Sequence, residues 1–413
     1  MPQYAAVLGH QPHLSLAELL SAVPGFNLKR TFRGEVAIFD SSENLTPALL
    51  DTLGGTVILA ERITEADVGM EDIPQMLSKE VSHLKRKVTF SLRCFGVATK
   101  DIKTAYRKSK DILRHQEHPC RYIGNDKNPA ATALLRGSDI LTGKRGCELF
   151  IIGGEHGLWV GKTFAAQDID AYTKRDMGKP VRDTTVGLLP PKLAQIMLNL
   201  GVWIAGGGQA AAPTEGKKSK AKQFTVLDPF CGTGVIPMEA LLRRWNVLAC
   251  DLNAKAVTGC QKNLDWLRKE AGVLKKDATD TVWKQDATKP FTLKSPPDMI
   301  VTETSLGPAL EKRPAQRDTA KLKSESEKLE AAFLKNIAAT LPGVPVVCAW
   351  PFWRMKGARV QLEKIWDTVH ECGYQPALPA CVEPSAPGRL TLLYERRDQF
   401  VGREIVMLVP RKR

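Results

Sequence analysis

Residues 225–240 read Thr-Val-Leu-Asp-Pro-Phe-Cys-Gly-Thr-Gly-Val-Ile-Pro-Met-Glu-Ala, an apolar strand that runs into an acid, a Gly-rich turn and a helix. Asp228 is followed by Pro229, Phe230, Cys231, Gly232 and Gly234. The glycines let a ligand approach the backbone closely, and the start of the helix offers free N–H groups. The spacing is not GxGxxG, and no Gly-Lys-Ser/Thr follows, which argues against a dinucleotide turn and a phosphate loop. A second strand, Asn246-Val-Leu-Ala-Cys, ends in Asp251-Leu252-Asn; an acid at that tip is where a ribose hydroxyl pair is held. Asp286, followed by Ala287, falls where a third strand should end and can accept a hydrogen bond from an adenine amino group. Taken singly, these acids also suit N-caps and turns. Taken in order, Asp228, Gly232, Gly234, Asp251 and Asp286 spell a site for S-adenosylmethionine (SAM).

Asp-Pro-Phe-Cys-Gly-Thr-Gly from Asp228 resembles the methyltransferase domain of RNA guanine N2-methyltransferases that carry a THUMP domain. Three further segments resemble the tRNA guanine(10)-N2 methyltransferase family in particular: Tyr172-Thr-Lys-Arg-Asp-Met-Gly-Lys-Pro, Gly187-Leu-Leu-Pro-Pro-Lys-Leu-Ala-Gln-Ile-Met-Leu-Asn-Leu, and Leu393-Tyr-Glu-Arg-Arg-Asp-Gln-Phe-Val-Gly-Arg-Glu. The likeness covers most of residues 170–405 and the N-terminal part only loosely. It implies a ferredoxin-like piece, then a THUMP domain, then a Rossmann-like methyltransferase.

In that family the fourth strand ends in Asp-Pro-Pro-Tyr. The carboxylate and a backbone carbonyl orient the amine of a flipped base, and the aromatic ring stacks on it. Ser295-Pro-Pro-Asp298 precedes the strand Met299-Ile-Val-Thr, so it lies at the wrong edge of the sheet. The matching segment is Thr302-Glu-Thr-Ser-Leu-Gly-Pro308: Glu303 takes the Asp place, Thr304 and Ser305 replace the prolines, and Leu306 replaces the aromatic. Glu is one methylene longer, the loop loses the stiffness of two prolines, and Leu306 offers apolar contact without stacking. Glu303, Thr304, Ser305 and Leu306 are therefore the catalytic candidates, either retuned to another acceptor or degenerate. Glu303 also suits a helix-capping or salt-bridged acid.

Cys231 sits in the Gly-rich turn, but methyl transfer to an amine needs no covalent enzyme intermediate, and packing is the expected role. His115, His118 and Cys120 lack an evident fourth ligand, so no metal site is expected. Ala349-Trp-Pro-Phe-Trp353, after a strand at 344–348, suits a base pocket, a core or a lid.

These residues need elements to position them. From about Phe224 to 413 strands and helices alternate, which predicts a parallel α/β sheet. Upstream, residues 1–70 read as an α+β piece, with a strand at Tyr4 and a helix at Ser15-Leu-Ala-Glu-Leu-Leu capped by Ser15. Residues 71–168 are the expected THUMP-like RNA-binding domain. There Val88, Phe90, Leu92 and Cys94 alternate as a half-buried strand, a helix is expected from Lys103 to Arg114, and segments at Cys147 and Gly157 read as a hairpin. Residues 169–223 are a connector, with a helix opened by Pro190 and Pro191 and then a Gly-Ala-Lys-rich linker.

The net charge of +14 over 413 residues suits a polyanionic partner. Residues 85–114 concentrate it, with ten Lys/Arg against Asp101 and Asp111. Lys85, Arg86, Lys87, Lys103, Arg107 and Lys110 are the RNA-contact candidates. Nine scattered cysteines without a CxxC pair suit a reducing compartment. Neither a signal peptide nor a membrane span is expected, and the compartment read from this is the cytoplasm. The sequence reads as a SAM-dependent methyltransferase acting on the N2 amine of a guanosine in RNA, tRNA above all. The expected state is a monomer or weak oligomer, with room for a small activator subunit. The alternatives are a non-catalytic RNA-binding protein with a degenerate methyltransferase domain, and an amino-methyltransferase of rRNA, DNA or a small molecule.

Overall fold

The structure, a computed structural model, describes residues 1–413 apart from 86, 126, 184–187, 209–222, 311 and 412–413. Arg86 and the lysines of the linker thus lie outside the described residues. The chain divides into two compact units, Met1–Pro12 with Pro24–Ala171, and His13–Val23 with Tyr172–Arg413.

The first unit is built on an eight-stranded sheet. Its order is Asn27–Phe32, Val36–Asp40, Gln3–Leu8, Thr56–Arg62, Leu158–Ala166, Gly146–Gly153, Val88–Phe95 and Cys120–Tyr122. Residues 1–70 and 71–168, read separately from sequence, contribute to this one sheet. Thr56–Arg62 pairs antiparallel with Leu158–Ala166, which covers an edge that each piece alone would leave open. The hairpin Gly146–Gly153 with Leu158–Ala166 forms as expected. Helix Thr99–His115 buries Ile102, Ala105, Ser109 and Leu113 and leaves Lys100, Lys103, Arg107, Lys108 and Arg114 exposed.

The helix expected at Ser15 runs from Pro12 to Ala22. Pro12 supplies a preset φ for the first turn, so Ser15, only 1% exposed, lies inside the helix and is not its cap. Leu14 and Ala17 pack into the core of the second unit beside Leu193 and Met197.

The second unit holds a nine-stranded sheet. Along its main path the order is Asp280–Lys284, Asn246–Asp251, Thr225–Asp228, Met299–Glu303, Val346–Met355, Val401–Pro410 and Tyr374–Pro376. The first five are parallel, and the last two alternate in direction. Numbered within the unit, the parallel strands run 3-2-1-4-5, the doubly wound, Rossmann-like arrangement. The order reverses between Thr225–Asp228 and Met299–Glu303, and such a switch point opens a crevice at the strands' carboxyl ends. Helices Pro191–Ala205, Val235–Leu242 and Ala254–Ala271 feed the core on one face. Gln316–Thr340 and Ile365–Glu371 feed the other.

Strand Val346–Met355 runs through the aromatic segment expected to follow it. Trp350, Phe352 and Trp353 are at most 1% exposed. They are core residues, because the strand must stay apolar on both faces where helices cover both. A Cβ on Gly402 would lie 2.1 Å from the Phe352 ring, so the facing strand needs glycine there. Among the described residues no helix is long and apolar enough to cross a membrane.

Candidate active site

The carboxyl ends of four parallel strands open into a cavity of about 510 Å³ at the switch point. Its wall takes in Asp228, Pro229, Phe230, Cys231, Gly232, Asp251, Leu252, Asp286, Ala287, Glu303, Thr304, Ser305 and Leu306. The size suits a cofactor-scale ligand. Gly232 has φ +51°, and a Cβ there would meet no atom within 4 Å, so open space lies above the turn. Gly234 stands outside the wall. It takes φ +89° at the helix start, and its missing Cβ leaves room for the Cys260 sulfur, 2.7 Å from where that Cβ would be.

Asp228 closes the first strand and is 3% exposed. The Thr302 hydroxyl donates to it at 2.6 Å and the Phe230 N–H at 3.3 Å. Burial nevertheless pushes its carboxyl up to about 7. Asp251 receives the Gly232 N–H on one oxygen at 3.0 Å and the Asn253 N–H on the other at 2.8 Å. It therefore fixes the Gly-rich turn, and each oxygen keeps a lone pair for a ligand hydroxyl. Asn253 caps helix Ala254–Ala271 by accepting from the Lys255 N–H. The Thr288 hydroxyl and N–H both donate to Oδ1 of Asp286, at 2.7 and 2.9 Å. They hold its carboxyl below the usual range. The turn roles suggested by sequence for Asp251 and Asp286 are thus present alongside their place in the wall. Cys231 is buried, and its thiol is pushed up by a hydrogen bond with Cys260 and by desolvation, which keeps it protonated.

Glu303 ends the fourth strand and pairs with Arg403, whose Nε donates to Oε1. Arg403 also donates to the Leu188 carbonyl at 3.2 Å. Burial raises the Glu303 carboxyl against the opposing pull of Arg403. Thr304 N–H and hydroxyl both reach the Ala349 carbonyl, at 3.2 and 3.1 Å. Ser305 accepts from the Gly307 N–H at 3.4 Å. The loop thus gains from hydrogen bonds the fixation that the proline pair would have provided.

Sequence reasoning missed several participants. Asp183, Leu188 and Leu189, from the connector, line the cavity, as do Asn253 and Leu329. Arg403 lies inside the resembling segment that starts at Leu393. Its signal was a charged pair, Arg403-Glu404, inside the otherwise apolar strand Val401–Pro410.

The RNA-contact candidates lie in the other unit. Lys85, Lys87, Lys103 and Arg107 are exposed. Lys110 is half-buried, 5.5 Å from the centre of the Tyr106 ring, which stacks on Tyr122. Arg93, counted with this basic run, is interior and pairs with buried Glu148 at 3.0 Å.

Residues 215–300 match the family model described as Conserved hypothetical protein 95. The chain aligns with the crystal structure of TrmN from Thermus thermophilus at 16% identity, over 99% of each chain, with a TM-score of 0.49. A possible methylase from Clostridium difficile aligns at 11% identity over 100% of this chain and 99% of that one, with a TM-score of 0.48. Magnesium protoporphyrin IX methyltransferase from Synechocystis, with bound SAM, aligns at 16% identity over 60% of this chain and 99% of that one, with a TM-score of 0.32.

Proposed function

We propose that this chain transfers a methyl group from SAM to the exocyclic N2 amine of a guanosine in RNA, with tRNA as the substrate. The observation that carries the reading is one cavity at the switch point whose wall joins Asp228, Asp251 and Asp286 to the loop Glu303–Leu306. When bound, SAM supplies an electrophilic methyl group. The residues fit it: Asp251 has lone pairs left for the ribose hydroxyls, and Asp286 keeps Oδ2 without a partner among the described residues, available to an adenine amino group. Phe230 and Leu252 supply apolar walls for the ring.

On the acceptor side, Glu303 takes a hydrogen bond from the amine and holds its lone pair toward the methyl group. The amine nitrogen would form the new N–C bond as the methyl group's bond to sulfur breaks, the sulfur leaving as the neutral thioether, and one N–H proton goes to the carboxylate or to water. Leu306 supplies apolar contact to the base. The exposed face of helix Thr99–His115, with Lys85 and Lys87, provides the cations for RNA phosphates. The proposed compartment is the cytoplasm, where free cysteines remain reduced.

One observation favours a second reading, RNA binding without transfer: the Glu303 carboxylate is already engaged by Arg403. Mass spectrometry of tRNA nucleosides from cells with and without the gene separates the two. N2-methylguanosine that disappears with the gene supports transfer. A protein that binds SAM and tRNA, yet leaves every nucleoside unchanged, supports the second reading.

A further inference from the structure

A second basic surface lies in the methyltransferase-like unit itself, beside the acceptor loop. Gly307, which lines the cavity, lies against Leu322 of helix Gln316–Thr340. The start of that helix and the segment before it present Lys312, Arg313 and Arg317, all exposed. Across from them is the carboxyl end of strand Val346–Met355, where Thr319 touches the Met355 sulfur at 3.5 Å. The Arg313 guanidinium sits 5.9 Å from the centre of the Phe400 ring. Exposed Lys356, Arg396 and Arg397 continue the surface.

The rim is built rather than merely charged. The Arg354 guanidinium donates to the carbonyls of Arg396, Gln399 and Arg397 at 2.5, 3.0 and 3.3 Å. This fixes the turn that presents Arg396 and Arg397 outward, so little ordering cost remains for a partner to meet. Glu395 is occupied by Arg359 and Arg354, and Asp318 and Asp398 are the exposed acids among these cations. Arg396 and Arg403 both lie against the Tyr394 ring, at 5.9 and 5.8 Å, so the rim is continuous with the residue that holds Glu303.

We propose that this rim is an RNA contact surface that binds the phosphates flanking the target nucleotide as it enters the cavity. A flipped nucleotide carries its own two phosphates to the mouth of the pocket. Guanidinium groups can pair bidentately with phosphate oxygens, and ammonium groups meet them as point charges. The inference rests on the RNA reading above and adds a contact independent of helix Thr99–His115.

The test uses the full chain with Lys312→Ala, Lys356→Ala and Arg397→Ala combined, three exposed side chains with no partner among the described residues. Binding of tRNA is measured across a series of salt concentrations, with the melting temperature as the control for folding. Each lost phosphate contact lowers the log–log salt slope by about 0.7–0.9, so a drop of about 2 is expected with the melting temperature unchanged. Wild-type binding with an unaltered slope in the variant overturns the rim alone. A lowered melting temperature alongside weaker binding also counts against it, because the effect is then global. A wild-type chain that binds no tRNA overturns the substrate reading, and the rim falls with it.

Discussion

Replacing Glu303 with Gln tests whether this acid serves the reaction or only its neighbour. Glu303 and Arg403 form a nearly buried pair, with side-chain exposures of 13% and 2%. Removing one partner of such a pair outright costs about 3–5 kcal/mol, because the other charge is left uncompensated. Gln keeps an oxygen for the Arg403 N–H, so the loss is nearer the difference between a charge-assisted and a neutral hydrogen bond, about 1–2 kcal/mol. For a unit of this size, each kcal/mol lowers the melting temperature by about 2–4 °C. The expected fall is therefore about 2–8 °C. Turnover should fall more than stability explains. The charge that favours a developing ammonium is lost, a change worth about 10–1,000-fold in rate.

The assay is transfer of labelled methyl groups to tRNA at a temperature where both proteins are fully folded, with SAM affinity measured by calorimetry. SAM affinity should stay close to the wild-type value, since Asp251 and Asp286 are untouched. Glu303→Asp shortens the arm by one methylene and, unlike Gln, should lose the Arg403 contact as well as the rate. If the Gln protein melts lower yet turns over within twofold of the wild type, Glu303 is only a structural partner of Arg403.

The other predictions follow from the same geometry. SAM should raise the melting temperature of the wild type. Asp251→Ala should weaken its binding about 10–100-fold in calorimetry, because charge-assisted hydrogen bonds to a ligand and to the Gly-rich turn are lost together; equal affinity would refute the assignment of Asp251. Lys103→Ala, Arg107→Ala and Lys110→Ala together should weaken tRNA binding and reduce its salt slope by about 2, and an unchanged slope would place the RNA on another face. Glu330 is fully buried, and desolvation pushes its carboxyl up to about 8 against the pull of Thr304 and Trp350. Its folded value lies above its unfolded value. Its contribution to stability is thus fully present below the usual carboxylate range and is lost as pH rises through about 8, at about 1.4 kcal/mol per pH unit. Urea midpoints followed from pH 5 to 8 should fall less steeply in Glu330→Gln, and identical slopes would show that Glu330 is ionised throughout. Asp228, shifted the same way, keeps part of the slope in both proteins.

The Gly-rich side of the cavity wall was legible because it is local. A strand end, an acid, a glycine turn and a helix start lie within ten residues of one another, and backbone sterics tie those residue types to those positions. Glu303 was legible for a similar reason: the apolar run Met299–Thr302 predicts a parallel strand, and ligands sit beyond its carboxyl end. Pairings across long stretches of chain were not. Nothing near Glu303 in sequence announces Arg403, which arrives on an antiparallel strand 100 residues later. Helix Pro12–Ala22 is apolar with no sharply polar face, a pattern that does not say which core it joins. Arg93 reads as one more surface cation until Glu148, 55 residues away, is brought beside it. Likewise, alternation shows that Thr56–Arg62 is a strand but not that its free edge is filled by Leu158–Ala166.

The acceptor loop is where these two kinds of information meet. From sequence alone, Glu-Thr-Ser-Leu in place of Asp-Pro-Pro-Tyr reads as a loss of reach control, stiffness and stacking. In the fold, two of the three have replacements. Thr304 anchors the loop to Ala349 through backbone and side chain, which fixes the chain where prolines would have restricted it. Arg403 fixes the carboxylate of the longer Glu303 and is itself held by the Leu188 carbonyl, from the connector that also lines the cavity. A buried ion pair is a weak source of stability, since apolar residues of the same volume often serve as well or better. Its presence at the mouth of the cavity is better explained by what it orients. The third loss, stacking, has no such replacement in the loop, where Leu306 stands in the aromatic position. On the proposed RNA reading, the burden of holding a flipped base shifts from ring contact to the phosphates on either side of it, which the proposed basic rim beside the loop would take up.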